Sequence, residues 1–296
     1  MSDSTIEQAR VLQFKSNVLH LYQQKGSLLK GLVREEALTG KAHFFERVSP
    51  TAATKRTTRH EATVHIDVEH SRRMVTPADY VWSTLVDDTD KLRIIINPES
   101  EYAIEGASAM QRTYDEVVIA AFDADAKSGE DGSGTVTFAS EPVGSSSEDL
   151  SSGNVETADV LNWKLQFDIL NIPMDNRVIV TPPGVPLQLL AATSAPFASS
   201  SDYNTVKALV RGEIDTWVGF RWVVTNIAPL LDSTDKYLYA FHRDSMGIAV
   251  ARDMVTKMDV LPERNYNTQL YIARSLGATR IQKGVLRSRV NSSAIA

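Results

Sequence analysis

One stretch of the sequence combines histidines and carboxylates in an order that could serve catalysis. The segment His60-Glu-Ala-Thr-Val-His65 resembles the zinc motif H-E-x-x-H of metalloproteases. Its two histidines are one residue too far apart for that motif, and in a strand they would point to opposite faces. His65, Asp67 and Glu69 would share one face of such a strand, which leaves a metal-dependent hydrolase or lyase as an alternative. A solvated outer face of a hairpin is the commoner use of this pattern.

Three further segments resemble parts of known sites, but each is incomplete. Gly129-Glu-Asp-Gly-Ser-Gly134 lacks the lysine and hydroxyl residue of a phosphate-binding loop. Asp123 and Asp125 stand two residues apart at a predicted helix end, so they face different directions and are expected to be solvated. His242-Arg-Asp244 matches the start of a kinase catalytic loop but lacks the asparagine that should follow. We therefore predict no catalytic, metal-binding or cofactor-binding residue, and a protein that is not an enzyme.

The composition is that of an ordinary globular protein, but the charges are unevenly distributed. The 296 residues are 43% hydrophobic and 23% charged, enough chain for about two domains. Residues 1–75 carry 12 basic and 8 acidic side chains, residues 99–175 carry 3 and 16, and the segment from Arg264 onward carries 6 and none. Oppositely charged blocks can attract copies of the same chain, whereas a freestanding nucleic-acid binder would show one concentrated basic face.

The sequence lacks cysteine and long apolar runs, and these two absences exclude several kinds of site and of membrane segment. There is no cysteine, which excludes disulfides, thiolate metal sites and a cysteine nucleophile. No run of about 18 apolar residues is present to span a membrane, and Met1 to Arg10 lack the apolar centre of a secretory signal. We therefore expect either a reducing compartment or a protein that is indifferent to redox conditions, and no membrane association.

The first predicted elements are a helical segment and a long hairpin. Between Thr5 and Leu38, apolar residues recur mostly three and four apart, as in an amphipathic helix that Gly26 and Gly31 would interrupt. This segment could pack on its own domain or form an arm that lies on a neighbouring molecule. His43–Val48 and Ala62–Glu69 predict the two strands of a hairpin with a small, cationic tip. Because an isolated ribbon of two strands is only marginally stable in water, we expect a partner surface for it.

A long helix is predicted to begin at Pro98. Asn97 is a favourable N-cap residue, proline suits the first helical position, and Glu99 and Glu101 face the positive end of the helix dipole. Helical spacing of apolar residues continues to Lys127, where a Ser-Gly pair stops it. The helix would be roughly 40 to 45 Å long, and we expect other elements to be arranged along it.

After the long helix, the sequence predicts both helices and strands in an irregular order. Residues 157–170, 186–190, 204–210 and 246–254 favour helices, and residues 135–138, 177–181, 217–225, 237–241, 269–274 and 279–290 favour strands. Because these segments do not alternate as in βαβ units, a doubly wound sheet or a βα barrel is disfavoured. The predicted fold class is α+β.

The order of these elements resembles that of the major capsid proteins of tailed double-stranded DNA bacteriophages, which have the Hong Kong 97-like fold. Asp90–Ser100 followed by Asp115–Phe122 is similar to the family's lead into its spine helix. Gly219–Asn226 is similar to the strand that closes the axial domain, and Ser275–Arg280 with Gly284–Leu286 is similar to the final peripheral strands. The resemblance covers essentially the whole chain and depends on order and spacing rather than on an invariant motif.

The resemblance implies a Hong Kong 97-like fold in five segments. These would be an N-terminal arm (1–40), an extended β-hairpin loop (41–76), a peripheral domain (77–175) with a spine helix at 98–128, an axial domain (176–230) and a peripheral return (231–296). It also implies that copies assemble as pentamers and hexamers into an icosahedral shell around packaged double-stranded DNA, which they contact non-specifically. Portal and scaffolding proteins would be partners, a decoration protein is left open, and the virion capsid would be assembled in the host cytoplasm.

Charge predicts where neighbouring subunits would touch. The candidate contact residues are basic side chains of the hairpin and acidic side chains of the spine helix: Lys55, Arg56, Arg59, Arg72, Arg73, Glu99, Glu101 and Glu105. Some relatives join subunits by a Lys–Asn isopeptide bond, but nothing identifies a partner for Lys41 or Lys55. An encapsulin-like nanocompartment shell is the nearest alternative, whereas a ring-forming tail protein would not explain the acidic helix.

Overall fold

The computed structural model describes residues 23–87, 98–141, 143, 148–150, 154–191, 208, 210, 212, 215–227 and 235–291. Residues 5–22 of the helical segment predicted from Thr5 to Leu38, most of the helix candidate at 204–210 and the lead from Asp90 to Asn97 lie outside the described residues. Residues 23–33 of that predicted helical segment form bends and turns, not a helix. The chain divides into two compact units. Unit 1 comprises Met1–Gly26, Tyr80–Arg112 and Met254–Arg274, and unit 2 comprises Ser27–Asp79, Thr113–Asp253 and Ser275–Ala296.

Helices and strands follow one another in an irregular order. The helices of the described residues are α1 (Pro98–Asp123), α2 (Thr157–Ile169) and α3 (Gly184–Ala191). The strands before α2 are β1 (Arg34–Ala37), β2 (His43–Val48), β3 (His70–Val75), β4 (Ala78–Val86), β5 (Ala126–Ser128), β6 (Gly134–Val136) and β7 (Glu148–Leu150). The strands after α2 are β8 (Arg177–Thr181), β9 (Thr216–Trp217), β10 (Phe220–Val224), β11 (Asp235–His242), β12 (Met246–Leu261), β13 (Asn267–Arg280) and β14 (Val285–Asn291).

Three sheets organise these strands. One has the order β1-β12-β13-β4, a six-stranded sheet has the order β7-β14-β11-β8-β10-β9, and the third has the order β2-β3-β5-β6. The six-stranded sheet is mixed, because β8 pairs in parallel with β10 and antiparallel with β11. Helices and mixed sheets without regular βαβ alternation confirm the predicted α+β class.

The main core of unit 2 joins α2 and α3 to strands of the six-stranded sheet. Val160, Trp163 and Phe167 of α2 are fully buried in this core. The helix begins where the sequence predicts, because the Glu156 N–H donates a hydrogen bond to the Asp159 carboxylate at 2.7 Å in a reciprocal capping arrangement. Burial raises the pKa of Asp159, although the backbone hydrogen bond acts in the opposite direction.

The long helix α1 begins at Pro98, as predicted, but ends at Asp123 rather than at Lys127. The residues that follow form β5, which pairs with β3 and β6. The Arg280 guanidinium also terminates the helix, because it donates hydrogen bonds to the carbonyl oxygens of Phe122 and Ala124 at 3.1 and 3.3 Å. The last carbonyls of a helix have no partner within it, so a buried cation there takes the place of water.

Two helix predictions are wrong because the residues concerned form paired strands. Arg34–Ala37 form β1 rather than the end of the first helix, and residues 246–254 begin the strand β12. The two strands pair in parallel, with Arg34 opposite Gly247. A short apolar run does not distinguish a buried strand from a buried helix, so the tertiary pairing decides.

Three strand predictions also need correction. Ala62–Glu69 is not a regular strand, and β3 begins only at His70. The segment 217–225 is interrupted by a turn at Val218 and Gly219, both with positive φ, between β9 and β10. The strands predicted at 269–274 and 279–290 are instead β13, which continues through Gly277 to Arg280, and β14. A Cβ added at Gly277 would lie 2.7 Å from the Thr76 carbonyl oxygen, so the glycine permits close strand packing.

We expect Gly106→Ala to destabilise the protein. Gly106 lies in α1, where an added Cβ would be 2.5 Å from Trp82 Cε3 and 2.6 Å from Ile272 Cδ1. Alanine favours a helix over glycine by about 1 kcal/mol, but overpacking a core costs about 1–3 kcal/mol. The free energy of unfolding from urea denaturation should therefore fall by up to about 2 kcal/mol, the overpacking cost less the gain in helix propensity. The control is Gly26→Ala, whose Cβ meets nothing within 4 Å; equal stability of the two variants would contradict this packing.

Candidate inter-subunit surfaces

Residues 49–69 connect β2 to β3 within the extended loop region predicted at 41–76, and we use the name extended loop for this connection. β2 and β3 pair antiparallel as far as Val48 and His70, and the Ser49 N–H then donates to the Glu69 carbonyl at 2.9 Å. Residues 50–69 are exposed throughout. They include the apolar side chains of Val64, Ile66 and Val68, which are 62%, 45% and 45% exposed. The extended loop therefore projects from unit 2 without burying its own apolar residues.

Glu61 organises the tip of the extended loop. Its carboxylate accepts hydrogen bonds from the N–H groups of Thr57 and Thr58 at 2.8 and 3.2 Å, and from the Thr57 hydroxyl at 3.3 Å. The backbone bonds lower the pKa of Glu61, because they stabilise the ionised carboxylate. The exposed cations of this tip are Lys55, Arg56 and Arg59.

The residues that suggested a hydrolytic site lie on the extended loop. His60, His65, Asp67 and Glu69 are exposed, and Glu61 accepts the hydrogen bonds of the turn. Within the described residues, no group of three or more histidine, aspartate or glutamate side chains could hold a metal ion. The pattern of residues 60–69 therefore belongs to the surface of a loop.

A buried ionic cluster fixes the base of the extended loop. Glu141 Oε1 lies 2.8 Å from Arg73 Nη2 and 3.3 Å from Arg47 Nη1. Arg73 is only 3% exposed, and Arg47 also donates to the Ser71 hydroxyl and the Ile281 carbonyl. Arg73, a predicted contact residue, is therefore engaged inside its own subunit. Removing one partner from such a cluster leaves an uncompensated buried charge.

Arg72, the neighbour of Arg73, remains accessible. Successive side chains of a strand point to opposite faces, so these two arginines of β3 have different surroundings. The Arg72 side chain is 41% exposed and lies 3.5 Å from Glu46. Its guanidinium also lies 5.5 Å from the ring centre of Phe44. Arg72 can therefore reach a neighbouring molecule from the base of the loop.

The three predicted glutamates lie in the first half of α1. Glu99 lies in the first turn of the helix, and Glu101 is half-buried. Glu105 accepts hydrogen bonds from Arg112 Nη2 at 3.1 Å and from Gln23 Nε2. Glu105 is therefore engaged within unit 1, whereas Glu99 and Glu101 mark the N-terminal end of α1.

Sequence reasoning missed the role of Asp115. Its side chain is 1% exposed and accepts hydrogen bonds from Ser27 Oγ at 2.5 Å and from the N–H groups of Leu28 and Leu29 at 2.9 and 3.1 Å. Asp115 lies four residues before the buried Ile119, on a face that helical spacing marks as apolar. A buried carboxylate on such a face needs hydrogen-bond donors. The position of Asp115 on the apolar face of the predicted helix could therefore have indicated its role.

The prediction that Asp123 is solvated is wrong. Its carboxylate accepts hydrogen bonds from the Tyr239 hydroxyl at 3.1 Å and from Arg287 Nη1 at 3.0 Å. Burial and the negative charge of Asp123 together raise the pKa of Tyr239. Asp125, in contrast, is exposed, as predicted.

Removing the Glu141 carboxylate should destabilise the base of the extended loop. Glu141→Gln leaves the buried Arg73 without its counter-charge, so the free energy of unfolding at pH 7 should fall by about 3 kcal/mol in urea denaturation. Glu130→Gln changes an exposed carboxylate of the same unit and should stay within about 0.5 kcal/mol of the parent protein. A Glu141→Gln protein as stable as this control would contradict the proposed importance of the cluster.

The turn at the loop tip should depend on pH. Because the pKa of Glu61 is lowered, the carboxylate stabilises the turn above the pKa of an unfolded glutamate, about 4.3. That contribution is lost as the pH falls through the lower pKa of the folded loop. An NMR titration of the Glu61 carboxyl carbon in the unassembled subunit should therefore give a pKa below about 4.3. A value at or above this reference would mean that the hydrogen bonds to Thr57 and Thr58 do not form.

Comparisons with known proteins agree with this architecture. The profile of a phage capsid protein family matches residues 6–288. The capsid subunit of cyanophage Pam1 is 11% identical and superposes with a TM-score of 0.72, over 98% of this chain and 99% of that one. The capsid of cyanophage P-SCSP1u is 13% identical, with a TM-score of 0.70 over 96% and 94% of the two chains. The capsid of a native GTA particle is 11% identical, with a TM-score of 0.68 over 95% of each chain.

Other comparisons add two findings. A search among curated proteins gave no match. Within the described residues, no helix combines the length and apolarity that crossing a membrane requires. At identities of 11% to 13% the structural matches demonstrate a shared fold, which confirms the expected Hong Kong 97-like architecture. The family match extends over nearly the whole sequence, and the chain thus belongs to the phage capsid proteins and is a structural major capsid protein of a virion shell, not an enzyme.

Proposed function

We propose that the chain assembles as pentamers and hexamers into an icosahedral shell that encloses packaged double-stranded DNA. The exposed extended loop carries the proposal, because Val64, Ile66 and Val68 have little cover within their own subunit. Among the similar structures, the capsid of the GTA particle was computed with C5 symmetry, which supports rings of five for proteins of this fold. The extended loop would lie on the next subunit of such a ring.

The apolar side chains in the second half of the extended loop would supply affinity in this contact. Val64, Ile66 and Val68 alternate with His65 and Asp67, so their side chains would share one side of the loop where it lies extended on a neighbour. Burying apolar surface yields about 25 cal/mol per Å². A neighbouring subunit that covers this side would therefore stabilise the loop. The two halves of the extended loop cannot provide this stability by themselves, because even a paired ribbon of two strands is only marginally stable in water.

The cationic tip would supply specificity. In the proposed contact, Lys55, Arg56 and Arg59 approach the N-terminal end of α1 in the next subunit, where Glu99 and Glu101 lie. Exposed ion pairs contribute only about 0.2–1 kcal/mol each, so they select the register rather than hold the shell together. The contribution would weaken as salt is added, because exposed charges are screened. Glu105 and Arg73 take no part, since each is engaged within its own subunit.

The remaining parts of the proposal concern domains and partners. We assign residues 1–40 to an arm, 41–76 to the loop region, 77–175 and 231–296 to a peripheral domain, and 176–230 to an axial domain. Portal and scaffolding proteins would be partners during assembly in the host cytoplasm. The excess of acidic side chains in residues 99–175 would limit binding to DNA phosphates, so contacts with the packaged DNA would be non-specific.

Charge reversal at the tip tests the loop contact. We expect Arg56→Glu/Arg59→Glu to reduce closed particles at least tenfold, because like charges would meet at the neighbouring helix. Particles would be counted by negative-stain microscopy and sedimentation velocity after expression alone and with the neighbouring genes. The control is Lys30→Glu/Lys257→Glu, which reverses two exposed cations outside the extended loop.

A second pair of substitutions makes the test specific. Adding Glu99→Lys/Glu101→Lys to the reversed tip should restore particles at low salt. Assembly that is unaffected by the reversed tip would refute the pairing. A parent protein that forms neither rings nor particles under any of these conditions would refute self-assembly itself.

A further inference from the structure

Helix α2 carries apolar residues on two sides. Val160, Trp163 and Phe167 belong to the core of unit 2. A second row, at spacings of three, four and four residues, consists of exposed side chains: Ala158, Leu161, Leu165 and Ile169. Its three large members are 49%, 54% and 62% exposed. We call this second row the outer stripe of α2.

Such a helix is not typical of a protein surface. A surface helix carries polar residues opposite its buried side, whereas a helix that is apolar all round is normally buried. Residues three and four apart lie side by side on a helix, so the outer stripe is one continuous patch. From Ala158 to Ile169 it extends for about 16 Å, and the exposed Leu170 continues it.

The size of the patch indicates what would cover it. The outer stripe offers on the order of a few hundred Å² of apolar surface, as binding surfaces do. A stable interface buries about 800 Å² on each partner and has an apolar core inside a polar rim. The outer stripe matches such a core, and Asn162 and Gln166 lie among its residues as polar neighbours.

We propose that the outer stripe of α2 packs against a neighbouring copy of this chain in the assembled shell, an inference that rests on the proposed assembly. Every subunit carries the outer stripe, so a surface that covers it must be available once for each subunit of the shell. A second copy meets this condition without any further component. Contacts that close a ring are heterologous, so the stripe meets a different surface of the next subunit.

A charge on the stripe tests the proposal. Leu165→Glu should leave the isolated subunit folded, with an unchanged thermal midpoint and circular dichroism spectrum, because Leu165 is exposed there. It should reduce rings and particles at least tenfold in negative-stain microscopy. Ser133→Glu adds the same charge at an exposed position between β5 and β6, outside the outer stripe, and should assemble as the parent protein does. Normal assembly of Leu165→Glu would overturn the proposal.

A cysteine probe identifies what covers the stripe. The chain contains no cysteine, so Leu165→Cys provides one thiol for a maleimide reagent. We expect labelling at least tenfold slower in purified particles than in the unassembled subunit. If this chain forms particles without any other protein, those particles would be used for the labelling. If they form only with scaffolding protein, the thiol would be compared before and after the scaffold is removed.

Each other result assigns the stripe differently and overturns the proposal. Slow labelling in the unassembled full chain would mean that another part of the same subunit covers the stripe. Protection that disappears when the scaffold leaves would assign the stripe to the scaffold, and equal rates in both states would leave it uncovered. A parent protein that never assembles would instead refute the proposed function.

Discussion

The buried guanidinium of Arg280 holds the parts of unit 2 together. The side chain is 1% exposed and donates hydrogen bonds to the carbonyl oxygens of Phe122, Ala124 and Val136. One residue of β13 thus connects the end of α1 to β6, in a different sheet. Burial lowers the pKa of Arg280, yet an arginine stays protonated in proteins, so the three carbonyls must replace its water.

Ion pairs near this junction join the oppositely charged blocks of the sequence within one subunit. The uneven distribution suggested attraction between copies, but the acidic middle and the basic end already meet inside one subunit. Asp123 of the middle block pairs with Arg287 of the end block. In the same way Glu141 pairs with Arg47 and Arg73 of the basic first block. The charges left for neighbours are therefore those of exposed segments, above all the extended loop.

The sequence was informative wherever a local signal decides the structure. Proline and an N-terminal carboxylate marked the start of α1, helical spacing located α2, and the short aliphatic run Arg177–Thr181 matched β8 residue by residue. It failed where a distant partner decides. Residues 246–254 are a strand because β1 lies beside them, and Asp123 is only partly exposed because its carboxylate binds residues 116 and 164 positions further along. The family resemblance came from the order of elements, which tolerates such local errors.

The end of the strand pairing at Ser49 and Glu69 has a mechanical consequence. Up to that bond, the β2–β3 ladder and the Arg73–Glu141 pair fix the base of the extended loop. Beyond it, the direction of the loop is set by a few backbone torsions and by whatever surface receives it. In the proposed rings of five and of six, neighbouring subunits would meet at different angles. One amino-acid sequence would then serve both curvatures by a change of torsions at this joint, with the fold of the subunit unchanged.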